Sequence, residues 1–255
     1  MMGRVTFVGA GPGDPDLITV KGYRALREAD VILQDSLAHP ELLEGVRARL
    51  LYVGKRCGKH SMTQDEINRL LVRQALKGRH VVRLKGGDCA VLGRLGEELL
   101  ALAAHNIPFD VVPGVTSATS VPTYAGIPIT HRGLADSFAV ATAHLQDDSV
   151  GFSIPAFNPN TTVVLLMSVG TTAAWREQLL NSGYPTDLPI AFISEGTRPT
   201  QQVLITNVDK VAQDMEQSGL PTPALAVVGR VVTLHKDLAW FRGEDETLQS
   251  AAGSE

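Results

Sequence analysis

Apolar positions in the first part of the chain fall into short runs separated by stretches with helical spacing. The runs at residues 4–9 (RVTFVG), 30–35 (DVILQD), 50–54 (LLYVG), 80–85 (HVVRLK) and 109–112 (FDVV) are rich in Val, Leu and Ile. They predict buried strands. The stretch VKGYRALREA follows Thr19, whose hydroxyl can satisfy a free amide of a first helical turn. QDEINRLLVRQALKG follows Thr63 and carries Glu66 three residues on, the pattern of a capping box, and Gly78 closes it. A third helix is predicted from about Gly96 to His105. Strand–helix alternation of this kind predicts a parallel sheet covered on both faces.

The texture changes near residue 114. PGVTSATSVPTYAGIPITHRG is rich in small residues, Pro and Gly, which suits a linker, and the domain junction is placed there. Beyond it, strands are predicted at 138–143, 161–168, 189–194, 201–207 and 224–232, with helices around 171–182 and 208–218. The adjacent strands within 189–207 read as a hairpin, so the second sheet is predicted to be mixed. The expected organisation is an N-terminal α/β domain over 1–114, a C-terminal α/β domain over 115–243 and a polar tail over 244–255. No internal repeat is evident.

The chain has 255 residues, 44% apolar and 20% charged, with 24 glycines and 14 prolines. That composition suits a globular α/β protein with many short joints. The net charge of −4 gives no basic excess for a nucleic-acid partner. No apolar run approaches the ~20 residues of a membrane span, and the N-terminus lacks the longer apolar core of a secretion signal. A cytoplasmic location with no membrane partner is expected. Cys57 and Cys89 form neither a disulfide framework nor a zinc pattern, and the seven histidines are scattered, so no metal is expected.

Four motifs carry candidate chemistry. Gly9-Ala10-Gly11-Pro12-Gly13 follows the first strand. Its glycines fall as G-x-G-x-G rather than G-x-G-x-x-G, and Pro12 and Pro15 delay the next helix. A dinucleotide site is therefore disfavoured, while a tight turn and a ligand loop remain level. Arg83-Leu84-Lys85-Gly86-Gly87-Asp88, followed by Gly93-Arg94-Leu95-Gly96-Glu97-Glu98, lies at a strand's carboxyl end, where open parallel sheets bind ligands. So dense a charge cluster exceeds what a plain turn requires. Val112-Pro113-Gly114-Val115-Thr116-Ser117 and Ile129-Thr130-His131-Arg132 complete the set. The first also suits a helix N-cap, and the second suits exposed surface charge.

In this order, VGAGPGDPDLIT, ADVILQD, VGKR, VVRLKGGD, GRLGEE, VVPGVTSA, YAGIPITHR, EGT and PALAVVG resemble the tetrapyrrole methylase family over nearly the whole chain, from about Val5 to Val232. RLKGGD with GIPITHR resembles the branch acting on uroporphyrinogen III. The resemblance implies two α/β domains with S-adenosylmethionine in an interdomain cleft, and a homodimer. It implies methylation of uroporphyrinogen III at C-2 and C-7 to precorrin-2, for sirohaem or cobalamin, with no metal. It places cofactor contacts at Pro12, Gly86, Gly87, Asp88, Val91, Thr116, Ser117, Met167 and Gly196. An acid–base pair falls on Asp35 and Lys55, and substrate-binding or catalytic roles fall on Arg94, Glu97 and Arg132.

These residue types suit the chemistry. An electron-rich pyrrole carbon attacks the sulfonium methyl, so near-attack geometry matters more than a strong base. The cationic ring then loses a proton, a task for a carboxylate. Arginines pair with the many carboxylates of the substrate. The sequence departs from the family pattern at Gln34, Cys89, Ala90, Leu95 and Gly133, which are expected to border the substrate. A methyltransferase of this fold acting on another acceptor, and a non-catalytic nucleotide-binding module, are the rival readings.

Overall fold

A computed structural model describes residues 2–54, 62–143 and 154–242. The chain divides into two compact units, Met1–Ser117 and Ala118–Glu255.

The first unit is built on β1 (Arg4–Gly9), β2 (Val31–Gln34), β3 (Arg49–Tyr52), β4 (His80–Lys85) and β5 (Phe109–Val112). All pair in parallel, in the order β3-β2-β4-β1-β5. Alternate residues of these strands feed two cores. Val5, Phe7, Val31, Leu33 and Val81 pack with Leu71 and Ala75 of α2 (Gln64–Leu76) and Leu102 of α3 (Leu95–Ala103). Val8, Ile32, Val82, Leu84 and Val112 pack with Leu26 of α1 (Val20–Glu28). Period-two burial on both faces is why these strands read as continuous apolar runs.

The helix ends follow from local chemistry. The Thr19 hydroxyl accepts from the Gly22 amide at 3.1 Å. The Thr63–Glu66 capping box is complete, with the Thr63 amide donating to Glu66 at 2.7 Å. Gly78 follows α2 at φ +78°, and its amide closes on the Ala75 carbonyl at 2.9 Å.

The second unit holds β6 (Ser137–Thr142), β7 (Thr161–Leu166), β8 (Pro189–Ser194), β9 (Gln202–Asn207) and β10 (Ala224–Val228), in the order β6-β7-β10-β8-β9. β6 and β7 are parallel, β8 and β9 form the hairpin, and β10 runs antiparallel to both β7 and β8. The sheet is therefore mixed. Its two faces are covered by α5 (Thr172–Asn181) with α6 (Val211–Ser218), and by α4 (Ser117–Tyr124).

Two expectations need correction. The segment suited to a linker contains α4, whose Ala118, Val121 and Pro122 are buried. Packing overrides the poor helix propensity of its Ser, Thr and Pro residues. The strand predicted over 224–232 stops at Val228. Gly229 has φ +149°, a backbone few side chains adopt, and Arg230–Leu234 form a 3-10 helix. A short helix, α7 (His235–Leu238), follows.

Candidate functional site

The carboxyl edge of the first sheet gathers most of the anticipated residues of that unit. β1 and β4 are neighbours, yet β1 leaves towards α1 on one face and β4 towards α3 on the other. The crevice where the chain diverges is where open α/β sheets bind ligands.

Three glycines close the base of this crevice. A Cβ on Gly9 would stand 2.5 Å from the Gly114 Cα and 2.7 Å from the Gly87 carbonyl oxygen. One on Gly114 would stand 2.3 Å from that same oxygen. No side chain fits at either position, so the loops after β1, β4 and β5 meet backbone to backbone. The Gly11 amide donates to the Gly87 carbonyl at 3.2 Å, and the Gly87 amide donates back at 2.7 Å. Asp88 stitches the same junction. One of its oxygens accepts from the Ala90 amide at 2.8 Å and the other from the Gly114 amide at 2.9 Å. Gly87 differs from the other two. It has φ +64°, and a Cβ there would find nothing nearer than the Ser117 nitrogen at 3.8 Å. A Cβ on Gly87 would therefore make only ordinary contact with Ser117, the first residue of α4; Thr116 is in the loop leading into that helix, and half-buried Pro12 is in the loop after β1. Val91 lies in the loop after β4, where Leu92 and Arg94 adopt left-handed backbones at φ 51° and 56°.

Beneath this edge the structure buries charge. Glu98 of α3 is fully buried and accepts from Arg83 Nε at 3.1 Å and Lys85 Nζ at 2.6 Å. Arg83 also donates to the Leu84 carbonyl at 2.9 Å, and its remaining nitrogen lies 3.7 Å from Asp35 Oδ2. Asp35 follows β2, keeps 23% side-chain exposure, and accepts from the Leu37 amide at 3.1 Å. Arg83, Lys85 and Glu98 were visible only as part of a charge cluster assigned to a ligand edge. The available signal was two basic residues at i and i+2 of a buried strand, with an acid one turn into the following helix. That pattern is an internal ion network.

Arg94 pairs with Glu97 through two hydrogen bonds, Nε to Oε1 at 2.7 Å and Nη2 to Oε2 at 2.6 Å. Both side chains are about half exposed, at 47% and 50%. The hydrogen bond from Arg94 holds the Glu97 carboxyl below its ordinary value. In the second unit, exposed Arg132 sits in a turn closed by His131 and Ala135, which exchange amide bonds of 2.9 Å. Since β7 and β8 both run antiparallel to β10, their carboxyl ends lie on one sheet edge. Met167 follows β7 there, half exposed at φ 57°. Gly196 follows β8 between Glu195 and Thr197, both left-handed at φ 46° and 70°. A Cβ on Gly196 would stand 2.4 Å from Val121 of α4, so this glycine serves helix packing. Lys55 and Cys57 lie outside the described residues. Among the described residues no three His, Cys, Asp or Glu side chains gather as a metal ligand set, and no helix is long and apolar enough to cross a membrane.

Residues 4–212 match the tetrapyrrole (corrin/porphyrin) methylases. The chain belongs to that family. It is 45% identical to the uroporphyrinogen-III C-methyltransferase of Methanocaldococcus jannaschii, over 92% of this chain and 98% of that protein. It is 44% identical to the siroheme synthase of Nitrosomonas europaea, over 98% of this chain and 54% of that protein. The chain thus spans about half the length of the siroheme synthases it matches. Among solved structures, uroporphyrin-III C-methyl transferase from Thermus thermophilus, complexed with S-adenyl homocysteine, superposes with a TM-score of 0.77 at 39% identity. That likeness covers 91% of this chain and all of the other.

Two departures from the methylase pattern were expected beside the substrate and point elsewhere. Cys89 is fully buried and packs in the α2–α3 core, and Leu95 packs against the same core. Burial pushes the Cys89 thiol up to about 12, against the smaller opposing pull of Lys85. Ala90 and Gly133 are exposed, Gln34 is half-buried, and Gly133 has φ +84°.

Proposed function

We propose that this chain transfers the methyl group of S-adenosylmethionine to ring carbons of uroporphyrinogen III, at C-2 and C-7, giving precorrin-2. The observation that carries the reading is the glycine-stitched crevice at the switch between β1 and β4, in a chain alike to the Methanocaldococcus jannaschii methyltransferase over nearly all of the latter's length. The residues present fit a backbone-lined cofactor. Gly87 bears no side chain at a left-handed backbone, which leaves its main chain bare towards Ser117, and the hydroxyls of Thr116 and Ser117 lie just before and at the start of α4.

We assign cofactor binding to Pro12, Gly86, Gly87, Asp88, Val91, Thr116 and Ser117 in the first unit, and to Met167 and Gly196 in the second. The left-handed backbones of Met167 itself and of Glu195 and Thr197, which flank Gly196, support this, because strained backbone clusters at ligand sites. When bound, the cofactor supplies an electrophilic methyl group on sulfur. The chain's own work is to orient the acceptor, exclude water and take a proton. Arg94 and Arg132 bind substrate carboxylates through planar forks. The Arg94 fork already holds one carboxylate in the bidentate manner, that of Glu97, which shows the geometry it offers. Asp35, partly exposed, accepts the proton that the cationic ring loses after methyl transfer, with Lys55 as its assigned partner.

The test is an anaerobic methylation assay with uroporphyrinogen III and labelled S-adenosylmethionine, read by mass for dimethylated product, alongside calorimetry with S-adenosylhomocysteine. Methyl incorporation with cofactor binding is expected. Cofactor binding without incorporation would assign the chain to another acceptor. Absence of both would overturn the reading.

A further inference from the structure

Arg83, Lys85, Glu98 and Asp35 form a charge-balanced quartet below the crevice, and of these only Asp35 is partly open to solvent. Buried ion pairs are poor stabilisers, because desolvation offsets most of their attraction, and apolar replacements of equal volume often do as well. Stability alone is thus a weak reason to bury Arg83, Lys85 and Glu98 under a ligand-facing edge.

The geometry supplies a better reason. The Arg83 guanidinium is fixed on three sides. Nε donates to Glu98, and Nη1 donates to the Leu84 carbonyl at 2.9 Å and the Leu33 carbonyl at 3.4 Å. With its plane locked, Nη2 is directed to Asp35 Oδ2, 3.7 Å away. The other Asp35 oxygen is held by the Leu37 amide. Leu37 is itself set against the crevice: a Cβ on Gly86 would stand 2.5 Å from the Leu37 Cβ. The Asp35 carboxylate is thereby tied at one oxygen to a cation and at the other to a turn, with 23% of the side chain open to solvent.

We propose that Arg83, locked by Glu98, is a positioning residue that aims and holds the Asp35 carboxylate for proton removal. Glu98 is the buried counter-ion that keeps the guanidinium in place, and Gln64 adds a donor to it at 3.3 Å. The proposal rests on the assignment of Asp35 as proton acceptor. Lysine at position 83 would keep the charge but lack the planar fork needed to reach Glu98, two carbonyls and Asp35 together.

The experiment is a double-mutant cycle on the full chain, with Arg83→Lys, Asp35→Asn and the pair, using uroporphyrinogen III as acceptor. Arg83→Lys is expected to lower kcat about ten- to a hundredfold, the scale of a misplaced catalytic group. Substrate KM and S-adenosylhomocysteine affinity should stay within about twofold, since neither ligand is assigned to Arg83. In the Asp35→Asn background the same change should have no further effect on kcat. Equal losses in both backgrounds, or a loss confined to KM or cofactor affinity, would overturn the proposal while leaving Asp35 its role. Full kcat in Asp35→Asn alone would remove the Asp35 assignment and the proposal with it. Should Arg83→Lys fail to fold, Glu98→Gln enters the same cycle with the same expectations.

Discussion

Gly9→Ala adds one methyl group where three backbones meet. Gly9 does not have a left-handed backbone, so the substitution carries no conformational strain of its own and isolates the steric effect. The new carbon would stand 2.5 Å from the Gly114 Cα, 2.6 Å from the Gly114 nitrogen and 2.7 Å from the Gly87 oxygen. Ordinary carbon contacts begin about 1 Å further out. All three obstacles are main chain, so no side-chain rotation relieves them. Overpacking costs about 1–3 kcal/mol. Displacing the β4 or β5 loop also weakens the Gly11–Gly87 pair or the Gly114–Asp88 bond, at about 1 kcal/mol for each bond. A total of about 2–5 kcal/mol is expected, a large part of a typical folding stability. Scanning calorimetry should show Tm lower by on the order of 10 °C. Titration with S-adenosylhomocysteine should show weakened binding. Gly96→Ala is the matched control. Gly96 lies in α3 with nothing within 4 Å of its added Cβ, and alanine there should stabilise by about 0.5–1 kcal/mol. A Gly9→Ala protein that melts within about a degree of wild type and binds the cofactor product normally would refute the reasoning.

Gly87→Val should abolish S-adenosylhomocysteine binding with only a modest fall in Tm, because the added Cβ meets Ser117 at ordinary contact distance and the fold bears mainly left-handed strain of about 1–2 kcal/mol; retained binding counts against a cofactor site there. Arg94→Ala should lower kcat/KM for uroporphyrinogen III about ten- to a hundredfold at unchanged cofactor affinity, and Arg94→Lys should be nearly as poor. Little stability should be lost with the half-exposed Arg94–Glu97 pair, and Arg73→Ala is the silent control. If both Arg94 variants keep full activity, the carboxylate clamp is wrong. Native Cys89 should resist iodoacetamide at mildly alkaline pH by peptide mapping, since its thiol sits at about 12. The unfolded thiol ionises near 9.0 while the folded one stays neutral, so this group lowers stability as pH climbs from there towards about 12. A Cys89→Ser protein with the same fall in urea midpoint over that range would show the loss comes from other groups.

Local signals were readable where a few adjacent residues decide the outcome. Thr19 and the Thr63–Glu66 box start their helices as expected, and the apolar runs of β1 and β4 are the central strands of the first sheet. Features decided by distant partners were not readable. α4 forms from Ser, Thr and Pro residues because Ala118 and Val121 are buried against Val164 and Ile193 of a sheet that comes later in the chain. β10 ends at Val228 because Gly229 turns the backbone, which composition does not reveal in a run as apolar as ALAVVGRVV. At the site, the glycine spacing left a tight turn and a ligand loop level, and did not reveal that Gly9 and Gly114 meet main chain while a Cβ on Gly87 would only touch Ser117 at ordinary distance. Burial of Arg83 and Lys85 depends on Glu98 reaching them from α3, a contact between separate elements that spacing along the chain leaves open.

The place of β10 has a consequence for how the second unit assembles. Among the described residues the last strand, β10, lies third in a sheet of five, and no other strand pairs the β6–β7 pair to the β8–β9 hairpin. Two-stranded ribbons are marginal in water. During vectorial synthesis the first unit can close once β5 emerges at residue 112, whereas the second must wait for residues 224–228. The match to the family as a whole ends at residue 212, before that strand begins, while the likeness to single relatives runs on over more than nine-tenths of the chain. A boundary drawn at residue 212 would therefore cut the sheet into two ribbons, each exposing an unpaired edge and open to association with other chains.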